Sequence, residues 1–566
     1  MKKIIRNTIN TVILTLAVIL AVSCSDEFLN VIPEGTYTED SFYASDEALG
    51  KACEPLYNRA WFGFHERSML GLGSLRANDA YNPYFTAEFT RFQTTALTSE
   101  VTKAWSSIYV VVSMSNSVID GVKSKCSPEV TQAAKNKALG EAYLMRATAY
   151  FFGLRIWGPM ILSENNVDMM LHPIRRLNPE EDVFKFIIRD LRKACELLPE
   201  QNEKGRATIW AGKAMLAKVL LAHSGWDKPV RDESELAECI RLCEEVIDRS
   251  GASLIEYENL FRYQYNYSPE SLFAMRWAPL GPWGTQNTLI SDLSWGDVCD
   301  VGCWNNNMCA PIDMIELYNE EPNNHEAVRR KATFFIPGEH YSYILSGHGG
   351  YTYPKNSANE GWMQVKKGVV GSKEDNDNLI DQQNSPLHTY IIRMADVYLM
   401  HAEASLGNQS ELTGGRGLES LNIVRNRARV STKDKITFED IIKERRIEFC
   451  MEYQNWFEMM TWYRWKPDYM MDYFNNSQTR GYEIRDGGIR VNPDGTISWF
   501  VYNHVDEDGE KRWDTLEDYE NSSYVPVEIN TSNIFIPYPE RDRLQNPYLS
   551  PGQDTEPYDF NKYDYD

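Results

Sequence analysis

Consecutive pairs of amphipathic helices are the feature that most constrains the fold of this chain. Apolar residues recur at helical spacing in a series of segments. These segments are 127–159, 178–199, 207–226, 235–251, 390–408, 416–430 and 436–460. Paired helices of about 15 to 20 residues predict an α-solenoid scaffold of the tetratricopeptide type, although the strict repeat signature is absent. No strand–helix alternation accompanies the pairs, which argues against a doubly wound sheet.

The ends of several predicted helices carry capping signals. Ser127 and Asn178, each followed by a proline, are the predicted N-caps of two helices. Thr437 and Asp440 form a predicted capping box at the start of another helix. Gly407 is predicted to end the helix that precedes it. These positions give the expected helix boundaries.

Two regions interrupt the helical pattern. Residues 255–385 are rich in Gly, Pro, Asn and aromatic residues, and residues 466–566 mix turns with strand-like runs. Within the second region, residues 487–503 are typical of a β-hairpin. No linker separates these regions from the helices, so we expect one body over residues 24–566. Its expected parts are a helical N-terminal part, a loop-rich ligand-facing part, and a helical and irregular C-terminal part, approximately 24–255, 256–385 and 386–566. The expected fold class is therefore mainly α, a tetratricopeptide-like helical-pair scaffold with long aromatic-rich loops and small β-hairpins.

The first residues have the composition of an export signal. Three basic side chains open the chain: Lys2, Lys3 and Arg6. The apolar run 12–22 is too short to cross a bilayer comfortably but suits a signal peptide. Small residues then precede Cys24, as in a lipoprotein box, except that Ala21 stands where Leu is usual. We expect a signal peptide over residues 1–23 and a Cys24 that carries acyl chains such as palmitate. The alternative is a secreted soluble protein with an incidental cysteine.

The net charge limits the classes of binding partner, and the positions of the cysteines bear on disulfide formation. The net charge of −23 argues against nucleic acid and anionic lipid headgroups as direct partners. The chain is 43% hydrophobic and 25% charged, which is typical of a globular protein and not of a disordered one. Cys299, Cys303 and Cys309 cluster in one loop, where a disulfide is an alternative to free thiols.

Several sequence blocks, in order, resemble the SusD/RagB family of outer-membrane nutrient-uptake lipoproteins. The blocks are "DEFLNVIPEG", "DSFYASDEALGKACEPLY", "KNKALGEAYLMRATAYFFGLRIWGPMIL", "GRATIWAGKAMLAKVLLAHSGW", "RMADVYLMHAEA", "LNIVRNRA", "IKERRIEFCMEYQNWFEM" and "FIPYPERDRLQNPYL". The resemblance runs nearly end to end. It departs at Phe457-Glu458 and Thr461-Trp462, where the family's Arg before Trp is missing.

The resemblance implies a fold, a cellular location and a partner protein. It implies a predominantly helical fold with four tetratricopeptide-like units. It also implies a lipoprotein on the cell surface, anchored in the outer membrane. Asp26 and Glu27 resemble the short acidic signal that sends Bacteroidetes lipoproteins to that face. The implied partner is a SusC-type TonB-dependent transporter, to which the protein would deliver captured ligand.

The chain contains none of the common catalytic motifs, and we expect no enzymatic activity. The GxSxG elbow, HExxH, the P-loop and the Rossmann fingerprint are all absent from the sequence. Two carboxylates suitable for glycoside hydrolysis need only lie close in the fold, so a surface glycoside hydrolase stays an alternative.

No metal or other cofactor is expected, with calcium as the one alternative. Asp375, Asp377 and Asp381 are spaced like the acids of a calcium loop, but the Gly and closing Glu of an EF-hand are missing. A solvated acidic loop is the favoured interpretation. His340 and His348 are the closest histidine pair, which is too little for a metal site.

Aromatic residues in irregular segments are the candidate binding residues. Trp283, Trp295 and Trp304 lie among Gly, Pro and Asn residues that prevent helix formation. Sugar rings stack their apolar faces on such side chains, while neighbouring polar groups bind the hydroxyls. A second stretch, "LRANDAYNPYF", offers Tyr81 with Asn78 and Asp79. The competing interpretation is that each aromatic ring packs down its own loop.

The leading hypothesis is a non-catalytic surface receptor that binds oligosaccharide or polysaccharide. A peptide receptor on the same scaffold is the first alternative, because an acidic protein suits cationic peptides. The hydrolase and a purely structural envelope subunit are the others. The sequence does not identify the glycan.

Overall fold

The computed structural model describes residues 40–82, 86–304, 308–321, 327–354, 363–482, 488–505, 511–514, 525–563 and 565. The expected signal peptide over residues 1–23 and the expected lipidation site Cys24 lie outside the described residues. The first α-helices are α1 (Asp46–Cys53), α2 (Phe62–His65), α3 (Arg67–Met69), α4 (Ala87–Thr90), α5 (Ser99–Ser124), α6 (Gln132–Trp157), α7 (Asn166–Leu171), α8 (Glu180–Leu197), α9 (Ile209–Gly225) and α10 (Glu233–Arg249). The later ones are α11 (Leu289–Leu293), α12 (Ile312–Asn319), α13 (Ala327–Thr333), α14 (Met394–Leu406), α15 (Gly415–Arg427), α16 (Phe438–Glu448), α17 (Asn455–Trp465), α18 (Pro467–Asp472) and α19 (Glu540–Gln545).

Strands and short helical turns complete the described structure. The strands are β1 (Ser271–Met275), β2 (His340–Tyr341), β3 (Tyr351–Thr352), β4 (Thr389–Arg393), β5 (Gly488–Val491), β6 (Ile497–Val505) and β7 (Lys511–Asp514). The 3-10 turns are Asp40–Tyr43, Glu54–Tyr57, Tyr257–Phe261, Tyr263–Tyr265, Ser346–His348, Glu374–Asn376 and Pro547–Leu549. The π-helical turns are Leu70–Leu75 and Tyr473–Ser477.

Helices that follow one another in the sequence pack against one another in the same order in space. Helix α5 packs on α6, α6 on α8, α8 on α9, and α9 on α10. Beyond the loop-rich part, α10 packs on α14, and α14 packs on α15 and α16. Successive helix–helix contacts of this kind define a helical-repeat scaffold. The predicted mainly α, tetratricopeptide-like fold is therefore confirmed.

Helix α8 shows how the sequence produces this packing. Acidic side chains in its first turn complement the positive end of the helix dipole. Its buried side chains recur at helical spacing: Val183, Phe184, Phe186, Ile187, Asp190, Leu191 and Ala194. This face packs against α6 and α9, while the opposite face is solvated.

The strands form small antiparallel sheets. Strand β1 pairs with β4, so that Ser271 faces Arg393 and Met275 faces Thr389. Strand β4 then continues directly into α14. The predicted hairpin is confirmed, because β5 pairs antiparallel with β6 across a turn in which Gly495 has a φ of 90°. Strand β7 adds to the other edge of β6.

The predicted helix boundaries have mixed outcomes. The Thr437–Asp440 capping box and the stop at Gly407, which has a φ of 54°, are confirmed. The Ser127 cap is wrong: the turn from Ser127 to Val130 precedes the helix, and Thr131 caps it.

The predicted Asn178 cap is also wrong. Helix α8 begins at Glu180, and the Asn178 amide is engaged in contacts with distant segments. Its oxygen accepts a hydrogen bond from the backbone of Leu162 (2.8 Å), and its nitrogen donates to the carbonyl of Glu556 (2.7 Å). Tertiary contacts therefore override the local capping preference.

The hydrophobic core is shared by the helical and loop-rich parts. One cluster of buried side chains extends from Tyr43 to Leu549 and includes Phe334 and Phe335 of the loop-rich part. A second cluster is built mostly from the C-terminal helices. The loops between β1 and β4 are thus packed on the helical scaffold by apolar contacts.

A buried ionic network joins the β1–β4 sheet to helix α16. The Arg393 guanidinium lies 2.8 Å from a Glu270 carboxylate oxygen and 2.6 Å from one of Glu448. Arg427 also binds both carboxylates. Burial alone would raise the pKa of Glu448, but the guanidinium groups of Arg427 and Arg393 hold it well below its usual range. The sheet therefore has a fixed position on the scaffold.

The described helices include none with both the length and the apolar character needed to cross a membrane.

Candidate functional site

Trp283 occupies the tip of a tight loop that follows β1. The loop closes on itself, because the Ala278 amide donates to the Thr285 carbonyl at 2.8 Å. Gly284 has a φ of 98°, a left-handed conformation that favours glycine. The Trp283 side chain is 61% exposed, and Leu280 beside it is 52% exposed. An indole this exposed cannot be explained by core packing.

The exposed Trp283 ring is oriented by an aromatic neighbour. The ring of Phe62 lies 5.2 Å from it, centroid to centroid, at an interplanar angle of 74°. This edge-to-face contact is a favoured aromatic geometry. It supports one side of the indole and leaves the rest open to solvent.

Trp304 is the second exposed indole and is 44% exposed. Its backbone amide donates to the carbonyl of Ser291 in α11 at 2.8 Å. The guanidinium of Arg67 lies 5.3 Å from the centroid of its ring, which is a cation–π distance. Trp304 is thus held from two sides while its ring faces solvent.

Arg67 is itself fixed by a buried carboxylate. Its Nη2 and Nε atoms lie 2.7 and 3.1 Å from Oδ1 of Asp292 in α11. Burial raises the pKa of Asp292, and the contact with Arg67 opposes that rise. A guanidinium held in this way has little freedom to move away from the Trp304 ring.

Both indoles therefore rest on one short segment, residues 62–67. Phe62 supports Trp283 at one end, and Arg67 supports Trp304 at the other. We call these four side chains the indole surface. The two indoles come from separate loops, but their supports are five positions apart in the chain.

The supporting segment is anchored from below by His65. Its Nε2 atom lies 2.7 Å from the Thr389 hydroxyl of β4, and the indole nitrogen of Trp277 donates to the same hydroxyl at 3.0 Å. Burial lowers the pKa of His65 to about 3, so the ring is neutral at neutral pH. The indole surface therefore stands on the β1–β4 sheet through uncharged contacts.

Trp295, the third predicted indole, packs in an aromatic cluster. It is half-buried, with the rings of Phe335, Tyr351 and Tyr353 at 5.2, 6.4 and 6.4 Å. The structure does not bring it into contact with the indole surface. Trp295 holds its loop against the core, which matches the competing interpretation for loop aromatics.

Asn78, Asp79 and Tyr81, the other candidate binding residues, do not lie on the surface as a binding role requires. All three are buried, with 5%, 0% and 6% of their surface exposed. The Asp79 carboxylate accepts hydrogen bonds from the Ser74 hydroxyl, the Met451 amide and the Asn455 side chain. Burial raises its pKa to about 6, opposed by the hydrogen bond from Asn455.

Asn78 and Tyr81, the other two residues of this stretch, also form contacts inside the protein. The Asn78 amide donates to Asp313 at 3.2 Å, and its backbone has a φ of 65°, a conformation that Asn tolerates better than most residues. The Tyr81 backbone pairs with that of Cys309 through two hydrogen bonds of 3.0 Å. These polar groups are used inside the protein and do not face a ligand surface.

Sequence reasoning missed Phe62 and Arg67. Both lie in the segment "WFGFHER", which is aromatic but mostly helical, and neither carries a motif. Their importance arises only from tertiary contacts with loops more than 200 residues away. No local signal in the chain could have identified them.

The loop cysteines and the acidic loop have structural environments. All nine cysteines among the described residues are free thiols, so no disulfide links Cys299, Cys303 and Cys309. Asp375 accepts hydrogen bonds from the backbone of residues 345, 346 and 372. Asp377 binds Tyr263 instead, and Asp381 pairs with Lys373. The three acids thus face different partners, and the described residues contain no group of three or more His, Cys, Asp or Glu arranged to hold a metal ion.

Comparison with known proteins identifies the relatives of this chain. A family model described as the SusD family matches residues 281–554, and one described as starch-binding and associating with the outer membrane matches residues 46–221. A SusD-like protein of Bacteroides ovatus is 48% identical, covering 97% of this chain and 98% of that protein.

Solved structures are similar to this chain as well. One crystal structure, determined with xylogluco-oligosaccharide, is 47% identical with a TM-score of 0.83 and covers 91% of this chain and 100% of that one. A SusD-like carbohydrate-binding protein of Bacteroides fragilis, 18% identical with a TM-score of 0.66, shares the fold over 90% of this chain and 100% of that one. With a relative 48% identical along almost its entire length, the chain belongs to the SusD family.

Proposed function

We propose that this protein is a non-catalytic receptor of the outer cell surface that binds neutral oligosaccharide on the indole surface. It then delivers the bound oligosaccharide to a TonB-dependent transporter. The observation that carries the proposal is the pair of exposed indoles, Trp283 and Trp304, held on one anchored segment. Exposed, pre-oriented aromatic rings lose little entropy when a flat apolar sugar face stacks on them.

The ligand class is supported by both chemistry and kinship. Each stacked ring contributes about 0.5 to 1.5 kcal/mol beyond area burial, so a few contacts give micromolar to millimolar affinity. Such affinity suits a receptor that must release its cargo. A relative 47% identical to this chain was crystallised with xylogluco-oligosaccharide, which favours a glycan over a peptide.

The absence of catalysis is part of the proposal. Asp292, the carboxylate beneath Trp304, is buried and bonded to Arg67 through two nitrogen atoms. A general acid or nucleophile of a glycosidase must instead reach the scissile bond together with a second carboxylate. The geometry around Arg67 is that of a structural support.

The proposal also includes the cellular location of the protein, which depends on residues outside the described part of the chain. We infer that residues 1–23 are removed as a signal peptide and that Cys24 carries the lipid anchor. The remaining chain, 24–566, would act as one body. The transporter partner rests on the family resemblance alone.

Affinity electrophoresis and calorimetry against neutral glycans, acidic glycans and basic peptides test the ligand class. We expect binding to at least one neutral glycan, with no release of new reducing ends during incubation. Trp283→Ala and Trp304→Ala should each weaken that binding, whereas Trp295→Phe, in the aromatic cluster, should not. Binding of peptides alone, or turnover of a glycan, would contradict the proposal.

Fractionation of cells tests the anchor. Cys24→Ser should release the protein from the outer-membrane fraction and abolish labelling by palmitate. Externally added protease should digest the wild-type protein on intact cells. Co-purification of a TonB-dependent transporter with the tagged wild-type protein tests the partner, and its absence from gently solubilised membranes would contradict that part.

A further inference from the structure

A groove beside strand β1 is a second candidate ligand site. It has a volume of about 430 Å³ and runs between the α8–α9 connection, the end of α10 and strand β1. Its lining includes Lys204, Gly205, Trp210, Arg276 and His388. None of the four side chains of the indole surface lines it.

Arg276 is the unusual residue of this groove. Its guanidinium carbon lies 5.3 Å from the ring centroid of Tyr57 and 5.9 Å from that of Tyr267. The side chain is half-buried, and its Nε atom is buried without a hydrogen-bond partner. Across the described part of the chain, its guanidinium forms no ion pair with any carboxylate. Of the guanidinium nitrogens only Nε is buried and unpaired, which leaves the Nη atoms able to donate to an anion from solvent.

The acidic residues around the groove are already neutralised. Glu141 pairs with Arg206, Glu203 with Lys137 at 2.8 Å, and Glu200 with Arg249 at 3.2 Å. The lining therefore carries an excess of positive charge, although the whole chain has a net charge of −23.

Two further lining residues bear on the local charge. Lys204 is exposed at the groove edge and has no ion-pair partner within the described ranges; its ammonium lies 5.5 Å from the Tyr267 ring centroid. Burial, together with the nearby charge of Arg276, lowers the pKa of His388 to about 3, so this imidazole is neutral at neutral pH. Arg276 and Lys204 thus supply the local charge.

An aromatic face stands beside these cations. Tyr267 is 42% exposed, and its ring meets that of His388 edge to face at 4.9 Å. Gly205, with a φ of 79°, passes so close that a Cβ atom there would lie 2.4 Å from the Tyr267 ring and 3.0 Å from Arg276 Nε. The glycine therefore lets the backbone close over both side chains and hold them in place.

We propose that this groove binds an anionic saccharide unit through its carboxylate or sulfate group. The Arg276 guanidinium would donate a two-pronged hydrogen bond to the anion, and Lys204 would add charge at the groove edge. The sugar ring would lie against Tyr267, which does not itself line the groove but contacts the lining residues Arg276, Lys204 and His388. The combination of a flat ring face and a fork donor favours an acidic sugar over an acidic peptide, which lacks the ring.

Calorimetric titration of the mature protein tests this site with four probes. They are a galacturonic acid trisaccharide, a sulfated galactose trisaccharide, the neutral galactose trisaccharide, and a short aspartate peptide. We expect one or both acidic trisaccharides to bind, and the two probes show whether carboxylate or sulfate is preferred. Arg276→Gln should weaken that binding at least tenfold, and Arg276→Lys, which keeps the charge but loses the fork, should weaken it less.

Controls separate a local effect from folding or general electrostatics. Arg241→Gln removes the same charge from an exposed ion pair on α10 and should change the affinity less than twofold. Tyr267→Ala removes the exposed ring and should weaken binding severalfold, which keeps the test available if Arg276→Gln does not fold. Loss of both exposed indoles, in Trp283→Ala/Trp304→Ala, should leave acidic-trisaccharide binding unchanged.

Three results would overturn this inference. They are no measurable binding of either acidic trisaccharide, undiminished binding by folded Arg276→Gln, or tighter binding of the aspartate peptide than of both sugars. Because the indole variants are titrated separately with neutral glycans, failure of this site and failure of the proposed neutral-glycan receptor give different outcomes.

Discussion

The stretch from Asn78 to Tyr81 and the loops that carry Trp283 and Trp304 have similar compositions but opposite fates. Both combine aromatic residues with Asn, Gly or Pro in segments without periodicity. In the structure the first stretch is buried, whereas the two indoles are 61% and 44% exposed. Composition alone therefore does not separate a ligand-facing loop from an internal connection.

For the stretch from Asn78 to Tyr81 and the Trp283 loop, the difference lies in the hydrogen-bond partners of the backbone. Tyr81 pairs with Cys309, and Asp79 accepts hydrogen bonds from a turn near residue 451, so distant chain segments enclose that stretch. The Trp283 loop instead closes on itself between Ala278 and Thr285. A self-closed loop leaves its tip side chain outside, and the tip is then available to a ligand.

The largest expected effect comes from the buried stretch. Asp79→Ala should lower the free energy of unfolding by about 3 kcal/mol, because Ser74, Met451 and Asn455 would each lose a buried acceptor. Urea denaturation measures the change. The folded fraction should bind neutral glycan as the wild type does; weakened binding by fully folded Asp79→Ala would place this residue in the site after all.

The next effect concerns the exposed stretch. Trp283→Ala should weaken binding of neutral oligosaccharide about tenfold, or 1.4 kcal/mol, which is the scale of one lost ring stack. Its free energy of unfolding should change by less than about 0.5 kcal/mol, as for exposed surface positions. Calorimetry and urea denaturation on the same preparation give both values. A stability loss as large as that of Asp79→Ala would show that the indole is a packing residue.

A pH series distinguishes the helical scaffold, whose stability should change with pH, from the indole surface, whose ligand affinity should not. Burial lowers the pKa of His223 in α9, but hydrogen bonds with the Glu235 and Glu181 carboxylates (2.6 and 3.1 Å) raise it above its usual value. A raised pKa stabilises the fold below about pH 6.5, and this contribution is lost as the pH rises through the folded-state value.

The wild type should therefore lose on the order of 1 kcal/mol of this stability between pH 5.5 and 8, relative to His223→Gln. Neutral-glycan affinity should stay constant over the same range, because His65 beneath the indole surface has a pKa of about 3. A parallel change in affinity, measured by calorimetry at each pH, would show that a titrating group contacts the ligand.

The smallest effect tests how Trp283 is oriented. Phe62→Leu removes the edge-to-face ring contact of 5.2 Å but leaves an apolar side chain below the indole. Affinity for neutral glycan should fall two- to threefold, equivalent to about 0.5 kcal/mol. Calorimetry resolves this change, and an unaltered affinity would mean that the indole needs no support from Phe62.

The helical scaffold was predictable because its information is local. The Thr437–Asp440 capping box, the stop at Gly407 and the hairpin at β5–β6 each depend on residues within a few positions of one another. The predicted caps at Ser127 and Asn178 were wrong because these residues form hydrogen bonds with distant segments of the chain instead.

The candidate site was only partly predictable for the same reason. Its two indoles stand out in the sequence as tryptophans among helix-breaking residues. Their supports do not, because Arg67 reaches Trp304 and Asp292 across more than 200 residues of chain. Exposure depends on the final packing of the chain. The sequence alone therefore could not show that Trp295 packs in an aromatic cluster whereas Trp283 stays exposed.

The most direct test of the account is a calorimetric titration of Trp283→Ala/Trp304→Ala with the neutral oligosaccharide that binds the wild type most tightly. We expect binding weaker by about 30-fold or more, with a free energy of unfolding within about 0.5 kcal/mol of the wild type. A double variant that is folded and titrates with the affinity of the wild type would contradict it.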